Sequence, residues 1–133
     1  MRVPIPPEVH AFLGEPVIAH IATIMKDGSP QVTPLWVETD GTSVLVNTTR
    51  GRLKEANLQR DPRVALSILS PDNNYRGVHI RGRVIEITEK GAIEQINGLN
   101  LKYRGDPSYP LQPGQVRVKV VIEPTHVTPR GLS

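Results

Sequence analysis

Three cations crowd the start of one short helical stretch. Arg50, Arg52 and Lys54 lie within Asn47–Leu66, NTTRGRLKEANLQRDPRVAL, beside the hydroxyls of Thr48 and Thr49 and the flexible Gly51. A helix N-terminus already presents unpaired N–H groups and the positive end of the dipole, so added positive charge there is unfavourable by itself. The pattern makes chemical sense when an anion is held. Backbone amides, hydroxyls and cationic tips converging on one point are what a phosphate group requires. A solvated basic loop is the competing reading of the same residues.

Strands must flank such a cluster to hold it in place. Ser43–Thr48 alternates as a strand should, and Asp61-Pro62 turns the chain into a second one over Arg63–Ser70, RVALSILS. Upstream, Pro6 and Pro7 open a short helix in which Val9, Phe12 and Leu13 fall at helical spacing, closed by Gly14 and Pro16. Val17–Ile24 reads as a buried strand with His20 in the core, and Lys26-Asp27-Gly28-Ser29 as a hairpin into Pro30–Thr39. In that strand Gln31 and Thr33 share one face, and Val32, Pro34 and Trp36 the other. Pro34 removes a ladder donor, so it belongs at an edge or bulge, where open backbone can meet a ligand.

Asp40-Gly41 makes a second hairpin. In the long segment Arg76–Thr88, Gly82 marks a bulge or bend. Ala92, Ile96, Leu99 and Tyr103 form an apolar helical stripe that stops at Gly105-Asp106-Pro107. In Gln115–Glu123, Val116, Val118, Val120 and Ile122 alternate with Arg117 and Lys119, a last half-buried strand, leaving 127–133 as a C-terminal tail. The expectation is one mainly β domain over residues 1–133, with an N-terminal helix in 1–15. It has six antiparallel strands closing a small barrel and three peripheral helices.

Composition narrows the function. With 38% hydrophobic and 22% charged residues in 133, the chain is an ordinary globular domain. No apolar run reaches membrane-span length, and Pro4, Pro6 and Pro7 stand where a signal peptide needs apolar residues, so a cytoplasmic protein without a membrane partner is expected. The absence of cysteine excludes disulfides and thiolate metal sites, and the four histidines lack metal-ligand spacing, so no metal is expected. The net charge of +3 suits an anionic partner, but aromatics at 4% leave little to stack bases, so nucleic acid ranks last.

Three stretches, HIATIMKDGSPQVTPLWVETDG, VNTTRGRLKEANLQRDPRVALSI and YRGVHIRGRV, together resemble the flavin-reductase-type split β-barrel superfamily that includes pyridoxamine 5′-phosphate oxidase. Within it, the chain is most similar to the small oxidoreductases that use coenzyme F420, a deazaflavin. The most specific part is R-x-K-x-x-N-L-x-x-D-P-R, here Arg52, Lys54, Asn57, Leu58, Asp61, Pro62 and Arg63. The resemblance spans roughly residues 15–127 and implies an FMN-binding-type split barrel that forms a homodimer, with the cofactor in a groove between subunits.

It also implies roles. Arg52 and Lys54 would hold the cofactor phosphate, helped by Asn47, Thr48 and Thr49, with Arg50 and Asn57 in the same set. Gln31, Val32, Thr33 and Pro34 would meet the ring system, and Tyr75 and Arg76 of the second subunit would close the groove. The implied activity is hydride transfer from reduced deazaflavin to a small organic acceptor such as an enone or quinone. FMN shares the phosphorylated ribityl chain, so an FMN-dependent reductase or oxidase stays open, as does a non-catalytic carrier. F420 adds a lactyl phosphodiester and a polyglutamate tail, for which Arg50, Arg76 and Arg81 are candidate cations.

The longer C-terminal Arg/His-bearing segment by which pyridoxamine phosphate oxidases hold their substrate has no counterpart here, which argues against the vitamin B6 reaction. The cofactor carries the hard chemistry. The protein must orient donor and acceptor about 3–3.5 Å apart. Water, His79 or Tyr75 are the candidate proton sources, His126 a candidate groove residue, and Trp36 either flanks the ring or packs.

Overall fold

Burial alternates with a period of two along most of the strands, which decides the faces of the sheet. In β1 (Ile18–Ile24) the side chains of Ala19, Ile21 and Thr23 are buried. β2 (Pro30–Trp36), β3 (Glu38–Thr39) and β4 (Val44–Thr49) follow, with Val44 and Val46 inside. β5 (Arg63–Leu69) buries Val64, Leu66 and Ile68, β6 (Gly77–Thr88) buries Val78 and Ile80, and β7 (Arg117–Arg130) buries Val118, Val120 and Ile122. The computed structural model describes residues 1–133. It joins all seven strands into one antiparallel sheet in the order β2, β1, β5, β6, β7, β4, β3, curled so that β2 approaches β4.

Three helices pack at the margins: α1 (Pro7–Leu13), α2 (Leu53–Arg60) and α3 (Ala92–Arg104). α1 drives Val9, Phe12 and Leu13 into the core. α3 lies on β7 and β4 and buries Ala92, Ile96 and Leu99. None of the helices is long and apolar enough to cross a membrane.

The mainly β split-barrel architecture is as expected, but it has seven strands rather than six. The expected strand over Pro30–Thr39 breaks at Val37 because α3 takes the backbone groups of that residue. The Val37 N–H donates to Tyr103 Oη at 3.1 Å, and its carbonyl accepts from Lys102 Nζ at 2.6 Å. With both ladder groups occupied, Glu38–Thr39 pairs separately with β4. The C-terminus differs too. Val127–Arg130 continues β7 and pairs with Gly77–Ile80 instead of forming a separate tail. β4 flanks β7 only as far as Ile122, so Pro124 and Pro129 fall where the strand is open on that side.

The bend expected at Gly82 is present as a register shift between Arg81 and Gly82. Any side chain there would bring its Cβ 2.3 Å from the Glu123 carbonyl oxygen. Pro34 lies on the edge strand β2, opposite His20. His20 is exposed rather than in the core, since the inward positions of β1 belong to Ala19 and Ile21.

Candidate functional site

β4 ends at Thr49, and Gly51 in the turn that follows has a left-handed φ of 88° that swings the chain into α2. Arg52 takes the N-cap position, where no side-chain oxygen caps the helix, and the amides of Leu53, Lys54 and Glu55 meet no acceptor within the chain. The buried Glu55 reaches back instead. Its carboxylate accepts from Gly51 N at 3.1 Å and from Arg50 at 3.2 Å. Arg50 also contacts Glu89 at 3.4 Å, so its charge is already matched.

Arg52 and Lys54 have no carboxylate partner. Partial burial and then the neighbouring Arg52 hold the Lys54 ammonium below its ordinary pKa of 10.5. An anion at the helix start relieves both penalties and satisfies the open amides.

These groups face a cavity of about 190 Å³. Asn47 and Thr48 of β4, Pro34 and Trp36 of β2, and Arg52 and Lys54 form one part of its wall. Arg104, Tyr109 and Arg117 form the other, with Leu35, Ile96 and Leu99 as apolar lining. No carboxylate lines it. Arg117 is only 9% exposed, yet it has no acidic partner. Its Nη1 donates to Thr49 Oγ1 at 2.8 Å, its guanidinium lies 4.9 Å from the Tyr109 ring centroid, and its Nε is unpartnered. Asn47 donates to Ala92 O and Gln95 Oε1, both at 2.9 Å, while its own Oδ1 is unpartnered. Trp36 stacks on Tyr103 at 4.9 Å, meets Tyr109 edge-on at 6.2 Å and carries Arg104 at 5.0 Å from its ring.

Of the residues anticipated at a cofactor site, the fold brings Pro34, Asn47, Thr48, Arg52 and Lys54 to this cavity, with Thr49 behind Arg117. The others lie elsewhere. Asn57 is buried and donates to Thr23 Oγ1 at 3.0 Å while accepting from Arg60 at 2.9 Å, which ties α2 to β1. Gln31 joins the same knot through Thr23. Thr33 has a buried, unpartnered hydroxyl. Val32, 61% exposed, borders a second cavity of about 310 Å³ on the outer sheet face, with His20, His79 and Arg81. Tyr75 is exposed in the loop before β6, and Arg76 is bound in bidentate fashion by Glu15 at 3.0 and 2.7 Å. His126 is exposed beside Thr125.

The family profile of pyridoxamine 5′-phosphate oxidase matches residues 5–127. The chain belongs to this family. Among solved structures of similar shape, one described as an F420 reductase is 33% identical with a TM-score of 0.80, covering 93% of this chain and 98% of its own. The conserved hypothetical protein Rv2991 from Mycobacterium tuberculosis is 28% identical, with a TM-score of 0.77 over 97% of this chain and 86% of its own. General Stress Protein 26 from Bacillus anthracis, 14% identical with a TM-score of 0.70 over 95% and 93%, shares the fold alone. Among curated proteins no match is found.

A phosphorylated flavin or deazaflavin fits this member of the pyridoxamine 5′-phosphate oxidase family by donor chemistry. The unmatched Arg52 and Lys54 and the open amides of α2 are what such a phosphate would use. It fits by volume only in part. Pockets that enclose a whole small molecule run to about 300–1,000 Å³, so 190 Å³ is room for a phosphate and a short adjoining chain, and a tricycle would lie outside. Sequence reasoning missed Arg104, Tyr109 and Arg117. Arg117 alternates with valines in a way that suggests a solvated face, but α3 and Tyr109 cover that face of β7 beside Thr49 of β4.

Proposed function

We propose that this chain is an F420-dependent oxidoreductase that transfers hydride from reduced deazaflavin to a small organic acceptor such as an enone or quinone. Membership of the pyridoxamine 5′-phosphate oxidase family and the 33% identity to an F420 reductase support a flavin-type oxidoreductase. The observation that carries the assignment is the unmatched pair Arg52 and Lys54 at uncapped helix amides, in a cavity that no carboxylate lines. Bound reduced deazaflavin would supply the hydride from its C5.

The chain's own tasks are to anchor and to orient. Arg52 and Lys54 grip the phosphate through charge-assisted bonds, with Thr48 and the first-turn amides of α2 beside them. Asn47 presents its free Oδ1 to hydroxyls of the attached chain. β2 offers Pro34 and the edge-strand backbone to the ring, which leaves one ring face for the acceptor.

The second wall of that groove comes, in this reading, from a second copy of the chain. The outer face of the sheet supports it. Ile18 and Leu69 are each 40% exposed and directly paired, and Val32 lies nearby over the larger cavity. His20 and Ser67 separate that pair from Val32, and a face that exposes apolar side chains on both sides of them is one an interface would cover. Tyr75, at 71% exposure, is the residue we assign to closing the groove from the opposite subunit.

FMN is the second reading, favoured by the family match itself, because the phosphate grip serves either cofactor. Titration of the protein with F420 and FMN side by side, followed by fluorescence, decides between them. The expected result is micromolar F420 binding and weaker FMN binding. Tight FMN binding with indifference to F420 transfers the assignment to an FMN enzyme, and a monomer on sedimentation removes the two-copy groove.

A further inference from the structure

Four cations are more than one phosphate needs. A phosphate monoester carries about −1.5 to −2 at pH 7, whereas Arg52, Lys54, Arg104 and Arg117 bring four positive charges to a 190 Å³ cavity that no carboxylate lines. They fall into two groups. Arg52 and Lys54 stand at the start of α2, while Arg104 ends α3 and Arg117 begins β7, with Tyr109 on the loop between them.

Aromatic rings organise the second group. Arg117 lies 4.9 Å from the Tyr109 centroid, Tyr109 lies 6.2 Å from Trp36, and Trp36 lies 5.0 Å from the guanidinium of Arg104. A guanidinium held over a ring face is oriented by that contact and still keeps its N–H edge free for a planar anion. Arg117 is nine-tenths buried, and its Nε lacks any partner. Burying such a donor without an acceptor is costly, which points to a ligand atom at that position.

We propose that Arg104 and Arg117, framed by Trp36 and Tyr109, form a second anion subsite. It takes the carboxylate-bearing extension beyond the cofactor's phosphate, so that the cavity selects a phosphodiester-linked tail over a terminal monophosphate. This rests on the reading of the cavity as the cofactor's phosphate site, and it names the residues that separate F420 from FMN. The tail suits the subsite better than an acidic acceptor does. Arg117 lines the same cavity as Arg52 and Lys54, whereas an acceptor stacked on a ring that the cavity is too small to hold lies outside it.

Trp36 is the chain's single tryptophan and lies in the proposed subsite, so its emission reports binding there without turnover. The protein is titrated with F420 bearing its glutamate tail, FMN, inorganic pyrophosphate and orthophosphate. Arg104→Gln, at an exposed helix end, is expected to weaken F420 about tenfold and FMN less than about twofold. Arg104→Lys should recover part of the loss. Equal weakening of both cofactors, or of neither, overturns the subsite. Should the unsubstituted protein bind neither cofactor, the functional assignment fails separately, and pyrophosphate then tests the subsite. Binding about tenfold tighter than orthophosphate that depends on Arg104 supports it, and parity of the two anions overturns it.

Discussion

Arg76 and Arg117 each lie over an aromatic ring, 5.0 Å from Phe12 and 4.9 Å from Tyr109, yet their electrostatic settings are opposite. At the corner of α1 and β6, Arg76 clasps both oxygens of Glu15, and that bond holds the Glu15 carboxyl below the usual carboxylate range. The Asp61–Arg63 pair at the start of β5 is alike, with Asp61 lowered to about 2 chiefly by the Arg63 side chain. In the cavity between α2 and β7, Arg117 has a threonine hydroxyl and a ring, and Arg52 and Lys54 have no carboxylate at all. Matched charges fix turns and corners. Unmatched ones, gathered in one cavity that no carboxylate lines, keep their capacity for a ligand.

The sharpest way to break that contrast is to remove one cation from each region. Lys54→Ala should lower the affinity for both F420 and FMN about 10- to 100-fold, the loss of one charge-assisted bond of about 1.5–3 kcal/mol, and leave the melting temperature nearly unchanged. Arg63→Ala should leave affinity unchanged in the same titration. If Arg63→Ala weakens binding and Lys54→Ala does not, the division between matched and unmatched cations is wrong.

A smaller effect tests the boundary between the two regions. Asn57 belongs to the same sequence motif as Arg52 and Lys54, but its side chain is buried against Thr23 and Arg60 rather than in the cavity. Asn57→Ala should therefore cost about 2 kcal/mol of stability and lower the melting temperature by roughly 5–10 °C, with cofactor affinity within about twofold. Calorimetry and titration on one preparation read both. Loss of affinity with an unchanged melting temperature would make Asn57 a ligand contact.

The motif thus mixes two jobs that one-dimensional spacing cannot separate. Residues 52 and 54 flank the helix start and reach the cavity, whereas residue 57 falls on the helix face that docks on the sheet. Strand periodicity made most of the fold legible, including the bend at Gly82 and the edge position of Pro34. It failed where tertiary hydrogen bonds override pattern. Lys102 and Tyr103, distant in sequence, interrupt the strand at Val37, and β6 recruits the residues after Pro124 into a longer β7. Half the cavity was illegible for the same reason. Arg104, Tyr109 and Arg117 meet only after α3 and β7 have packed, and no local spacing marks them.

The two half-buried lysines should answer pH in opposite ways, which gives the contrast its smallest but most specific test. Lys54 must be charged to hold an anion, and its lowered pKa means that affinity falls on the alkaline side before an ordinary lysine would titrate. Lys102 lies in the scaffold, where Nζ donates to the Leu13 and Val37 carbonyls at 2.7 and 2.6 Å. Burial, partly offset by Glu38, brings its pKa from 10.5 down to about 8. Its folded pKa is below its unfolded one, so the unfolded chain holds the proton more tightly and the penalty is in force below pH 8. Stability is regained as pH rises from about 8 towards 10.5. The neutral amine still has two N–H groups for its two carbonyls, so the geometry survives deprotonation. The unfolding free energy of the unsubstituted protein, taken relative to Lys102→Met, should therefore increase across that window while cofactor affinity declines. If stability and affinity fall together, deprotonation of Lys102 opens the seam between α3 and β2, and the cavity is not mechanically separate from the scaffold that supports it.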